Sequence, residues 1–137
     1  MTDSERDLLI DLRRVLLQLH KTLLDWERKA YDRSHGRASA AELLHIVMRD
    51  PQFGWLHPLS ELIVRIDTML DVEHPEPRVE FDAIVAQARA LVIPDESGSA
   101  YAKRYHAALQ DLPDAVVAHG AVTGVLKRAP GPRVITH

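Results

Sequence analysis

DSERDLLIDLRRVLLQLHKTLLDWERKAYDR, residues 3–33, contains neither proline nor glycine. Most of its residues are leucine, arginine, lysine, glutamate and alanine, which favour the α-helix, or aspartate, which does not oppose it strongly. The segment therefore predicts one helix of about thirty residues, which would be about 45 Å long at the helical rise per residue. That length is large for a chain of 137 residues, so other parts of the chain must cover it.

The polar residues of this segment recur at alternating spacings of four and three, which indicates one solvated stripe in a seven-residue repeat. The stripe consists of Asp7, Asp11, Arg14, Gln18, Lys21, Asp25, Arg28 and Asp32. One apolar seam beside it consists of Leu8, Leu12, Val15, Leu19 and Trp26, and a second seam of Ile10, Leu17, Leu24 and Tyr31. A strict seven-residue repeat favours long, slightly supercoiled packing, and two seams predict neighbours on two sides of the helix.

Further amphipathic segments predict an all-α bundle of five to six helices in a single domain, residues 1–128, followed by a loose tail at 129–137. Gly36 is suited to end the first helix, and Ser39 and Glu42 have the spacing of a capping box that starts the second. Pro113 predicts either a kink or a new helix. Beyond Pro113, a face of small residues would let another helix approach closely; it consists of Val116, Val117, Gly120, Ala121 and Gly124.

Composition narrows the function classes. The chain has no cysteine, so disulfides, thiolate metal sites and cysteine nucleophiles are excluded. The N-terminus lacks a basic, apolar leader, and no apolar run is long enough to span a bilayer, so we expect a cytoplasmic protein without a membrane partner. The net charge is −3, and only residues 98–137 carry a small basic surplus, which argues against a nucleic-acid partner.

Eight histidines raise the question of a metal or haem site between helices. His20 lies among leucines, where a neutral imidazole could bind haem iron or a divalent metal, or could simply be a hydrogen-bonded core residue. His45 forms a Glu-x-x-His pair with Glu42, although no second such pair occurs, and His57 lies four residues before a glutamate. Asp67 falls beside the apolar seam of its helix and, if buried, needs a partner such as His20 or an arginine.

No nucleophile elbow or phosphate-binding loop is present, so the sequence contains no motif of a specific catalysis. Its two-sided apolar helix predicts non-catalytic protein–protein association, in the form of a homodimer that acts as an adaptor or regulator. The predicted interface consists of Ile10, Leu17, Leu24 and Tyr31.

Two alternatives remain open. One is a bundle that binds haem, a metal or an apolar small molecule between its helices, with His20 as a ligand. The other is a small metal-dependent enzyme that uses histidine and aspartate; it would need at least two of the four candidate ligands in one pocket. These candidates are His20, His45, His57 and Asp67. The homodimer reading requires no cofactor.

Overall fold

The predicted all-α class and the long N-terminal helix are confirmed by the computed structural model, which describes residues 1–130. Residues 131–137, which make up most of the predicted tail, lie outside the described residues. Within residues 1–130 the chain forms seven helices and no strand, and none of these helices is both long and apolar enough to cross a membrane. The helices are α1 (Asp3–His35), α2 (Ala40–Arg49), α3 (Pro51–Gly54), α4 (His57–Asp71), α5 (Pro77–Leu91), α6 (Ala100–Asp111) and α7 (Pro113–Leu126).

Two extra elements explain why the structure has seven helices rather than five or six. Residues 51–54 form a single helical turn, which begins at Pro51 and is capped by the Asp50 carboxylate, an acceptor for the backbone N–H of Gln52 at 2.9 Å. Pro113 starts a new helix because Leu112 before it is extended and a proline lacks the N–H that would continue α6. The open choice at Pro113 is thus resolved in favour of a break.

Local capping sets the length of α1. The Thr2 hydroxyl accepts a hydrogen bond from the backbone N–H of Glu5, and the Glu5 carboxylate accepts one from the N–H of Thr2, which completes a capping box. At the other end Gly36 has φ +80°, a conformation that side chains disfavour, and its N–H bonds the carbonyl of Asp32.

α1 is the central helix of the bundle. It packs mainly against α7 on one side and α4 on the other, and α5 completes the bundle against α4 and α7. α7 runs antiparallel to α1, since Asp111 just before α7 bonds Trp26 and Arg128 just after it pairs with Asp11. The leucines of α1 that face these neighbours are fully buried: Leu9, Leu12, Leu16, Leu19 and Leu23. Each contributes about 2 kcal/mol of burial.

α2 and α7 leave apolar surface in solvent. α2 has no buried residue and exposes Leu44 and Met48. α7 buries one face against the bundle, yet its opposite face is also apolar and leaves Val117 73% exposed. A Cβ atom placed on Gly120 or Gly124 would meet no atom of the described chain within 4 Å beyond the adjacent backbone of α7 itself. The close helix neighbour predicted for this face is therefore absent within residues 1–130.

This open space predicts the effect of Gly120→Ala and Gly124→Ala. Glycine inside a helix costs stability relative to alanine, so each change should raise the free energy of unfolding by about 0.5–1 kcal/mol in urea titrations. Gly36→Ala is the matched control and should destabilise, because its positive φ is strained for alanine. A loss of stability in Gly120→Ala or Gly124→Ala would contradict the open face.

Candidate functional site

An exposed apolar groove lies on the outer face of α1, bordered by α4. We call it the α1 groove; it has a volume of about 900 Å³. Ile10 and Leu17, two turns apart, remain 46% and 39% exposed although both are large and apolar. The groove is lined by Ile10, Arg13, Arg14, Leu17, Gln18, His20, Lys21 and Leu24 of α1 and by Leu70 of α4.

The four residues of the predicted interface do not have the same environment. Ile10 and Leu17 have open surface, whereas Leu24 is partly buried against the core. Tyr31 is partly buried too: its ring stacks on His35, with 4.1 Å between the ring centres, and lies 5.8 Å from the ring of Phe53. Tyr31 therefore already packs within its own chain, and the exposed part of the second apolar seam is centred on Ile10 and Leu17.

The two borders of the groove differ in charge. On the α4 side, Arg13 is paired with Asp67, and the outer face of α4 also exposes Glu61 and Asp71. Arg14 and Lys21 each follow an α4-facing residue by one position, about 100° further around the helix, and so form the far border. Both are exposed, and neither forms an ion pair within residues 1–130. The far border of the groove is thus basic, whereas on the α4 side Asp67 is paired with Arg13 and, among the described residues, no acidic residue lines the groove itself.

His20 lies at the α4 side of the groove. Its Nε2 is 3.4 Å from the Ser60 hydroxyl, and the ring is half-buried. Burial lowers the pKa of His20 below its usual 6.5, so the imidazole is neutral at neutral pH. The contact with Ser60 is typical of a structural histidine. The neutral ring is also the form of histidine that can bind a metal.

The other candidate ligands have partners elsewhere. Asp67 pairs with Arg13, so its partner is an arginine and not His20. Arg13 lies two turns of α1 before His20. His57 lies 3.6 Å from the carboxylate of Glu61, and His45 is exposed on α2. In the part of the chain that the structure describes, no three histidine or acidic side chains are grouped to hold a metal ion.

A buried carboxylate that the sequence did not reveal lies in the second half of α1. Glu27 is only 1% exposed. Its Oε1 accepts hydrogen bonds from Trp55 Nε1 at 2.8 Å and Arg104 Nη2 at 2.6 Å, and its Oε2 accepts one from Gln52 Nε2 at 3.2 Å. Glu27 therefore ties α1 to α3, to the turn between α3 and α4, and to α6. In the sequence, the burial of Glu27 is indicated only by its position, four residues after Leu23 and therefore on the same face of the helix.

Aromatic rings surround this carboxylate. The Arg104 guanidinium lies 4.5 Å from the centre of the Trp26 ring, and Trp26 donates to Asp111 at 2.7 Å. The rings of Trp55 and Tyr101 contact each other, with 5.5 Å between their centres. The Tyr101 hydroxyl is buried without a hydrogen-bond partner in residues 1–130, and burial raises the pKa of this phenol. Both oxygens of Glu27 are satisfied, so the cluster is arranged to join helices.

Loss of the Glu27 carboxylate should destabilise the fold. Glu27→Ala leaves the Trp55 N–H and the Gln52 amide without their acceptor, and each polar group left unsatisfied in the interior costs about 1–3 kcal/mol, whereas the partly exposed Arg104 guanidinium can turn to water. We expect a large fall in the urea midpoint. Asp25→Ala, an exposed acid on the same helix, is the control and should change stability by at most about 0.5 kcal/mol. Equal effects of the two variants would contradict a structural role for Glu27.

Two partly buried histidines, His20 and His119, predict a pH dependence of stability. Burial lowers the pKa values of His20 and His119 in the folded chain below 6.5. The unfolded chain therefore binds protons first as the pH falls through 6.5, and the free energy of unfolding decreases below that pH. His20→Leu should lessen this decrease, measured as urea midpoints at about pH 7.5 and about pH 5.5. The prediction fails if His20→Leu and the wild type lose stability equally.

Comparison with known proteins gave no relative: no protein-family model, no curated protein and no solved structure matches this chain.

Proposed function

We propose that this chain acts by protein–protein association, as a homodimer joined through the α1 groove, and that the dimer serves as a non-catalytic adaptor or regulator. The observation that carries the proposal is the exposure of Ile10 and Leu17 at seven-residue spacing on a helix of 33 residues. Large apolar side chains repeated along one helix face are the usual seam between paired helices. At the helical rise α1 offers an edge about 50 Å long.

The charged borders of the groove favour a parallel pair. In a two-fold pair with its axis along α1, residues at the same level meet, and the basic border of one copy faces the α4 side of the other, where Asp67 and Glu61 are the nearby acids. The Arg13–Asp67 and His20–Ser60 contacts show which parts of α1 and α4 share a level. Arg14 then lies at the level of Asp67 of the second copy, and Lys21 at the level of Ser60 and Glu61 of the second copy.

An antiparallel pair would be electrostatically worse. With Leu17 at its centre, such a pair keeps the two basic borders on the same side, so Arg14 of one copy lies beside Lys21 of the second copy. This like-charge contact occurs twice and destabilises the pair. Charge complementarity therefore selects the parallel arrangement.

Light scattering on the purified chain over a concentration series tests the proposal. The wild type should be a dimer, and Leu17→Asp should raise the dissociation constant by at least about 10-fold because it places a charge in the centre of an apolar seam. Val79→Asp is the matched control, since Val79 is equally apolar and 62% exposed but lies on α5, outside the groove.

Charge exchange tests the parallel register separately. Lys21→Glu should weaken the dimer, and the double variant Lys21→Glu with Glu61→Lys should restore it. A wild type that stays monomeric, or a Leu17→Asp variant that dimerises as well as Val79→Asp, would contradict the homodimer. A double variant no stronger than Lys21→Glu would contradict the register.

A second candidate function is the binding of haem, a metal or an apolar small molecule in the same groove. The specific observation in its favour is the neutral, half-buried imidazole of His20 in a groove of about 900 Å³. Absorbance spectra during haem titration test it: a sharp Soret band that is lost in His20→Leu would support this function over the first.

A further inference from the structure

A second cavity, of about 510 Å³, lies between the end of α5 and the second half of α7. Its size is within the range of small-molecule sites. The apolar lining comes from Val92, Ile93 and Pro94 after α5 and from Leu126 at the end of α7. None of its lining residues belongs to the α1 groove, so conclusions about this cavity do not depend on the proposed dimer.

The polar side chains of this cavity are positively charged or hydrogen-bond donors. They are Arg89, His119, Thr123 and Lys127. Within residues 1–130 neither Arg89 nor Lys127 forms an ion pair with a carboxylate, and no acidic residue lines the cavity. A cavity that combines an apolar floor with unpaired cations attracts a negatively charged group attached to an apolar one.

Arg89 and His119 are held in place by the protein. Arg89 Nη2 donates to the carbonyls of Leu126, Ala129 and Pro130 at 3.4, 3.4 and 3.1 Å, which leaves its Nε and Nη1 without an acceptor in the described chain. The His119 Nδ1 is 2.7 Å from the hydroxyl of the fully buried Tyr105. A guanidinium fixed through one nitrogen presents its remaining donors without a further loss of side-chain entropy.

We propose that this cavity binds an anionic amphiphile, a carboxylate attached to an unbranched apolar chain. The carboxylate lies between Lys127 and the free edge of Arg89. The chain lies against Val92, Ile93, Pro94 and Leu126. An acidic head satisfies the two unpaired cations, and the apolar chain covers Ile93, which is otherwise 61% exposed.

Calorimetric titration of the full-length chain with decanoate, below its critical micelle concentration, tests the proposal. Decyltrimethylammonium has the same chain length and the opposite charge, and acetate has the same head without the chain. Decanoate should bind at least about 10-fold more tightly than either, because binding needs both the charge and the apolar contact.

Two variants locate the site. Lys127→Glu should weaken decanoate binding about 10-fold, because it replaces an attraction by a repulsion at the head group. Ile93→Asp should weaken it as well, by removing part of the apolar floor. Lys29→Glu is the control: it makes the same charge change at an exposed site on α1 and should leave binding unchanged.

Several results would overturn the site. They are no decanoate binding, equal binding of decyltrimethylammonium, equal binding of acetate, or equal losses in Lys127→Glu and Lys29→Glu. Circular dichroism of each variant shows whether it is folded, so a loss of binding in a folded Lys127→Glu variant supports the site directly.

Discussion

The packing of the α1 leucines between α4 and α7 is the interaction on which the rest of the structure depends. Most of the stability of a helix within a protein comes from packing of its apolar face, and α1, with 33 residues, persists because two helices remove that face from solvent. α4 and α7 are the principal neighbours of α1, and together they leave a third strip of the helix uncovered. Ile10 and Leu17 lie on that strip, so the same packing that stabilises α1 also creates the groove.

Polar interactions then fix where the ends of the bundle lie. At one end Arg128 pairs with Asp11, and at the other Glu27 accepts hydrogen bonds from Trp55, Gln52 and Arg104. The carboxylate is buried at a cost that only this complete set of donors offsets. α6 is thereby held against the second half of α1, and α7 continues from α6 in the position that closes the bundle.

The sequence predicted those features that depend on local pattern. The seven-residue repeat of α1 predicted the buried positions Leu8, Leu12, Val15 and Leu19, whereas the fully buried Leu9, Leu16 and Leu23 lay in neither predicted seam. Ser39 caps α2 as expected, with its hydroxyl accepting from the N–H of Glu42, but the reciprocal bond of the predicted capping box is absent from the described residues. Pro113 indicated a boundary, but the sequence did not decide between a kink and a break. These features follow from propensity, spacing and capping within a few residues, which is information that a single sequence contains.

The parts that were not predicted depend on contacts distant in sequence. Glu27 looks like a surface acid until Trp55, 28 residues later, and Arg104, 77 residues later, are placed around it. The apolar outer face of α7 suggested a close neighbour, and the described chain supplies none. The cavity between α5 and α7 joins residues that no local pattern connects. In the candidate site, the sequence identified the second apolar seam of α1 but not which of its residues stay exposed.

Cysteine cross-linking of Ile10→Cys tests the parallel homodimer most directly. The chain has no natural cysteine, so a single introduced thiol can be oxidised only with its copy. In the parallel pair the two Cys-bearing positions face each other within the short distance that a disulfide requires, whereas an antiparallel pair places position 10 opposite Leu24. The parallel homodimer predicts rapid formation of a covalent dimer by Ile10→Cys and slow formation by Val79→Cys. Equal, slow rates for both variants would contradict it.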